Sequence, residues 1–160
     1  MTIPDGLLTL VHPWAELYAD SKGVSNSVTF LHLGGILLGG GAAITMDRET
    51  LLAPHLDEAG RGHLLERLRQ VHLWVLLGLG LTLVTGVLQC ASDLKTFLPS
   101  NLFWIKMGLV VALLANGTLV LRGEKAAGRG DWGVLRFAAI LSLILWTTTL
   151  LLGVMLTTVA

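Results

Sequence analysis

Four apolar runs, each close to twenty residues, constrain this chain more than any other feature. They are residues 27–46 (SVTFLHLGGILLGGGAAITM), 71–90 (VHLWVLLGLGLTLVTGVLQC), 102–121 (LFWIKMGLVVALLANGTLVL) and 137–159 (FAAILSLILWTTTLLLGVMLTTV). A helix needs about 20 mostly apolar residues to cross the hydrocarbon core of a bilayer, and each run meets that length. No run alternates polar and apolar residues with period two, which excludes a lipid-embedded β-barrel. The rest of the composition agrees. Hydrophobic residues make up 53% and charged residues only 14%, where a soluble domain carries about 25% charged residues. The expected fold is therefore all-α: an integral membrane four-helix bundle forming a single domain over residues 1–160.

Residues 6–20 precede the first run and are shorter and mixed. Leu7, Val11, Trp14 and Tyr18 recur at helical spacing, which predicts an N-terminal amphipathic helix lying in the membrane interface, with Pro13 as a candidate break. The opening MTIPDGLLTL lacks a cationic stretch before its apolar residues, so no cleavable signal peptide is expected. The segment LLERLRQ, before the second run, is a candidate helical extension of that span.

Basic residues predict the orientation. Arg48, Arg61, Arg67 and Arg69 lie between the first two spans, and Arg122, Lys125, Arg129 and Arg136 lie between the last two. The other side holds Lys22 and Lys95, with Lys106 just inside the third span. Cytoplasmic loops carry the excess of Lys and Arg. Both long loops are thus expected in the cytoplasm and both termini outside or in the periplasm, as in a multi-pass membrane protein. Eleven basic and eleven acidic residues cancel, leaving no field for nucleic acid. A single cysteine, Cys90, excludes an internal disulfide framework.

Ionisable groups at membrane depth are costly and direct attention to function. His32 lies near the outer end of the first span, with Gly35 and Gly39 following it on one face. Imidazole ligates haem iron, and small residues admit a macrocycle close to the backbone. A neutral histidine hydrogen-bonded between packed helices explains the same residues. His72 lies at the inner end of the second span, so one haem cannot join it to His32. The candidate partners are His12 or Met107 for His32, and His55 or His63 for His72. His63 and His72 stand nine residues apart, on opposite faces of a shared helix. Lys106 is expected to snorkel outward, or to pair with a haem propionate near His32. Asn116 is a candidate for interhelical hydrogen bonding. Asp47 is expected to pair structurally with Arg48 or Arg69. No nucleophile elbow, phosphate loop or zinc-protease motif is present, so no catalytic activity of its own is expected.

The run HLGGILLGGGAAITMD resembles the first span of an uncharacterised family of small bacterial four-helix membrane proteins. The shared pattern is histidine, glycine three later, glycine nine later and aspartate fifteen later: His32, Gly35, Gly41 and Asp47. Thr85 and Gly86, then Phe103 and Lys106, then Asn116, and Ser142 to Trp146 are similar to further pieces of that family in the same order. The resemblance covers about residues 30–152. It departs after Asp47, where Arg48 and Glu49 stand in place of an apolar residue and an arginine. The resemblance implies the four-span architecture and marks His32, without implying a biochemical role. More loosely, the layout is similar to four-helix cytochrome b and copper-resistance membrane families.

Three functions remain open from the residues. The first is a subunit binding haem b and transferring electrons within or beside a respiratory or photosynthetic complex. The second is a cofactor-free accessory subunit that docks on other membrane subunits, or on itself, through its glycine-rich faces. The third is a small transporter or metal-handling protein.

Overall fold

The computed structural model describes residues 3–159, with side chains for residues 3–156. Six helices follow in order: α1 (Asp5–Asp20), α2 (Lys22–Leu52), α3 (Glu58–Ser92), the single-turn α4 (Leu94–Phe97), α5 (Asn101–Ala127) and α6 (Gly133–Val159), with a 3-10 turn at Ala53–His55. The described residues contain no strand. Four of the helices, α2, α3, α5 and α6, are long and apolar enough to cross a membrane.

These helices outrun the apolar runs that predicted them, mostly at the end carrying the arginines. The segment LLERLRQ is the helical first part of α3. Polar side chains set the helix starts by accepting backbone N–H groups that have no partner within the helix. Ser21 accepts from Val24 N, Asp57 from Gly60 N and Ser100 from Phe103 N. The α5–α6 turn passes through Gly130 at φ 95°, a conformation that only glycine takes without strain.

The bundle is two antiparallel hairpins, α2–α3 and α5–α6, joined through an α2–α6 contact. Both hairpin turns lie at the arginine-rich end, called the basic end below. Each hairpin closes on glycine. A Cβ on Gly78 of α3 would strike the backbone of Gly39 and Gly35 in α2, and one on Gly123 of α5 would lie 2.6 Å from Leu135 Cα in α6. Small residues let membrane helices approach to backbone contact, where dispersion and lipid entropy hold them. The hairpins meet where the Trp146 ring lies against Gly40, 3.0 Å from where a Cβ would sit. α3 and α5, in contrast, scarcely touch.

The buried apolar side chains form two clusters along the bundle. One, toward the basic end, contains Met46, Ala53, Leu64, Leu68, Ala127 and Leu135. The other, nearer the middle, contains Ala43, Leu79, Leu113, Leu145 and Trp146. Outward faces are apolar too: Phe30, Leu37, Val111, Phe137 and Ile144 are all exposed. A helix surrounded by apolar side chains on all sides suits lipid rather than water.

α1 runs unbroken through Pro13, so the proline is no break. It rests on the far end of α3, where Trp14 Nε1 donates to Leu88 O at 2.8 Å. Its inward face is Leu8, Val11, Trp14, Ala15 and Tyr18; Leu7, assigned to that face from spacing, is exposed instead. Asp5, Thr9, His12, Glu16 and Asp20 form a polar stripe, and Leu10 and Leu17 are exposed on the remaining side.

Candidate functional site

Two polar regions are set into this apolar frame, one on each side of α3. The first contains His32. It is 8% exposed at the α2–α3 seam, and its Nδ1 lies 2.9 Å from Thr85 Oγ1. Thr85 Oγ1 lies 2.6 Å from Leu81 O and has one hydrogen, which it gives to that carbonyl. The ring nitrogen is therefore the donor, and Thr85 the acceptor, of the interhelical bond. Gly86 makes room for the ring: a Cβ there would sit 3.3 Å from His32 Cε1. The glycine face beside His32 is filled by α3 itself, since Gly35 lies against Gly78 and Thr82, and Gly39 against Val75, Gly78 and Leu79.

The second region is a cleft between α3 and α5 with room for about 90 Å³, floored by α2 and α6. A single water needs about 10–15 Å³ by this measure, so the space takes several waters or a small polar group. The apolar clusters close it at both ends, contributing Leu68 and Val120 on one side and Leu79 and Leu113 on the other. Its rim includes Leu76 and Leu114, both 46% exposed.

Three acceptor oxygens with no hydrogen-bond partner are buried in its wall: Asp47 Oδ2, Asn116 Oδ1 and Glu124 Oε1. Their residues are 7%, 3% and 5% exposed. Asn116 Nδ2 donates to Ala138 O at 3.1 Å, and a carbonyl accepts only from the amide nitrogen. That bond leaves Oδ1 as the atom Asn116 presents elsewhere. Ser142 faces Asp47, and both line the cleft with His72. Arg69 and His72 lie within electrostatic reach of Glu124. A buried polar group without a partner costs about 1–3 kcal/mol, so three around one space form an unfilled set of acceptors.

The candidate residues named from the sequence are thus dispersed. His32 meets Thr85 on α3, and Thr85 stands thirteen residues from His72 (85 against 72), roughly 20 Å at 1.5 Å per residue. His12 is exposed and lies 3.5 Å from Glu16 on its own helix. Met107 is half-buried on α5, a helix that scarcely contacts α2. Lys106 reaches α6, its Nζ 3.5 Å from where a Cβ on Gly153 would sit, and acts on His32 only at electrostatic range. His55 and His63 are exposed. Asp47 makes no ion pair with Arg48 or Arg69; the ion pair of that region joins Arg67 and Glu49 at 2.9 Å. Trp74 and Trp104 are both exposed.

A haem held by His32 needs an open flank, and the axial pairs named from the sequence need His12 or Met107 at the ring. The flank is occupied by the α3 backbone, and neither His12 nor Met107 is brought to the ring. These residues do not fit the group. No set of three His, Cys, Asp or Glu side chains among the described residues is disposed around a metal position.

Two residues of the cleft escaped the sequence reading. Glu124 stands beyond the third apolar run and looks like one more loop charge beside Arg122 and Lys125. Its signal is the four-residue step Asn116, Val120, Glu124, which puts all three on one stripe of α5. Ser142 opens the Ser142–Trp146 stretch of the family resemblance, but as one hydroxyl in an apolar run it carries no sign of a site. No known family, curated protein or solved structure matches the chain.

Proposed function

We propose that this protein is a membrane-embedded ligand-binding protein of the bacterial inner membrane, and that the cleft between α3 and α5 is its binding site. The observation that carries this reading is that three residues with partnerless buried oxygens line one space between two helices whose backbones stay apart. A cofactor-free docking subunit needs apolar or small-residue faces, not acceptors set into its interior. A haem-carrying subunit needs a pocket at His32, where the helices are sealed. A ligand site between helices needs a few convergent polar groups within apolar walls, which is what the cleft has.

The orientation is part of the proposal. The positive-inside bias puts the basic end in the cytoplasm and both termini in the periplasm. An interfacial α1 is part of it too, supported by three separate faces: one against α3, one polar and one apolar and exposed, as a helix at the bilayer surface requires.

The test is native mass spectrometry of the protein extracted gently from its membrane. A small molecule should remain bound at one per chain, and Asn116→Leu should release it while circular dichroism stays helical. A bare mass for the wild-type protein, or equal retention by Asn116→Leu, would sink the reading.

A further inference from the structure

Resting on that reading, we infer that the cleft takes the ammonium headgroup of an amphiphile, entering sideways from the leaflet at the basic end. All three partnerless atoms are acceptors: two carboxyl oxygens and an amide oxygen whose orientation the Ala138 carbonyl fixes. An occupant that satisfies them must bring donors. A primary ammonium brings N–H donors and a positive charge to a wall whose partnerless atoms are all acceptors, two of them carboxyl oxygens. An anion without N–H or O–H groups would bring no donor to these oxygens. A neutral acceptor such as a quinone carbonyl would leave all three oxygens as they are.

The rest of the slot fits an amphiphile. Arg69 and His72 lie within electrostatic reach of Glu124, so a phosphate attached to the ammonium would meet positive charge as the amine goes inward. Above the acceptors the lining turns apolar, through Val75, Leu79, Leu113 and Leu114. Asn116 lies eight residues from Glu124 along α5, about 12 Å at 1.5 Å per residue, so the polar part is deep enough for a headgroup. Leu76 of α3 and Leu114 of α5 line the space and are exposed, which leaves it open to the side, so the chain of the ligand can remain in lipid.

Two sources share this chemistry: a membrane phospholipid with an ethanolamine headgroup and a free long-chain amine. The protein is delipidated in detergent and exposed in turn to mixed micelles of phosphatidylethanolamine, of phosphatidylcholine, and to dodecylamine, with retention read by native mass spectrometry. Phosphatidylethanolamine should be retained at one per chain and at least tenfold above phosphatidylcholine, whose quaternary ammonium has no N–H. The double variant Asp47→Asn with Glu124→Gln should lose at least tenfold in retention. Asn116→Leu should lose it as well, so that misfolding of one variant leaves the other to decide. Retention of dodecylamine alone identifies a free amine as the source and keeps the ammonium assignment. Equal retention of the two phospholipids together with no binding of dodecylamine overturns it, as does wild-type retention by the double variant. If the native extract carries a bound molecule without an amine, this inference fails while the cleft stands as a binding site; if it carries none, both fail.

Discussion

α3 has two unlike sides. Toward α2 it offers Gly78, Thr82, Thr85 and Gly86, and the two helices come to backbone contact with the His32 ring hydrogen-bonded to Thr85. Toward α5 it offers Leu68, His72, Val75 and Leu79, and the helices stay apart around Asp47, Asn116 and Glu124. On the first side His32 Nδ1 and the Thr82 and Thr85 hydroxyls all have partners and the helices touch at their backbones. On the second, space remains and three oxygens have none. The contrast separates a surface built for stability from one built for occupancy, because partnerless buried acceptors lower stability and are tolerated where something else satisfies them.

Substitutions can break this contrast, and the largest effect belongs to the closed side. Gly78→Ala forces a methyl into the Gly39 backbone and should cost about 1–3 kcal/mol, with Gly78→Leu abolishing the folded bundle. The midpoint of denaturant unfolding in detergent measures this; a wild-type midpoint for Gly78→Leu would mean that α2 and α3 are not packed as described.

The open side should respond with the opposite sign. In delipidated protein, Glu124→Leu removes a partnerless acceptor and should raise stability by about 1–2 kcal/mol, a fraction of the penalty of burying such a group. The same unfolding midpoint reads it, and a fall of similar size would show that Glu124 is held by a partner. With bound ligand the sign should reverse, since a ligand that binds only the folded state adds stability.

Thr85→Val sharpens the comparison from within the seam. It keeps the shape of the side chain and removes the acceptor of the His32 N–H, at an expected cost of about 0.5–1.5 kcal/mol. The nitrogen-15 signals of His32 should shift at the same time, and unchanged signals would place the histidine elsewhere. The smallest effect is at the surface. Arg67→Ala breaks the pair with Glu49 and should cost under about 1 kcal/mol, less in high salt.

The closed side was partly legible in the sequence. His32, Gly35 and Gly39 stand on one face at helical spacing, and an interhelical histidine was one of their two readings. What no spacing revealed is that the groove would be filled by Gly78, a residue about forty positions away (78 against 39 and 35) that packs there because α2 and α3 fold into a hairpin. Asp47 was visible as a charge closing a span, and the arginines nearby made a pair the natural expectation. It remains unpaired because its side chain turns inward to Ser142 while Arg67 reaches Glu49 instead. Glu124 was hidden by the boundary drawn for the third span, since the helix continues past the last apolar residue to Ala127.

Hydropathy and length alone determined that four helices form, how the chain is divided among them and which end is basic. These follow from the cost of exposing backbone and charge to hydrocarbon, a cost each segment incurs by itself. Only the tertiary structure decided which helix faces meet, that α3 seals against α2 and not against α5, and that four side chains from three other helices, α2, α5 and α6, surround one space with His72. Contacts of that kind depend on the shapes of two surfaces brought together, and no single segment carries that information.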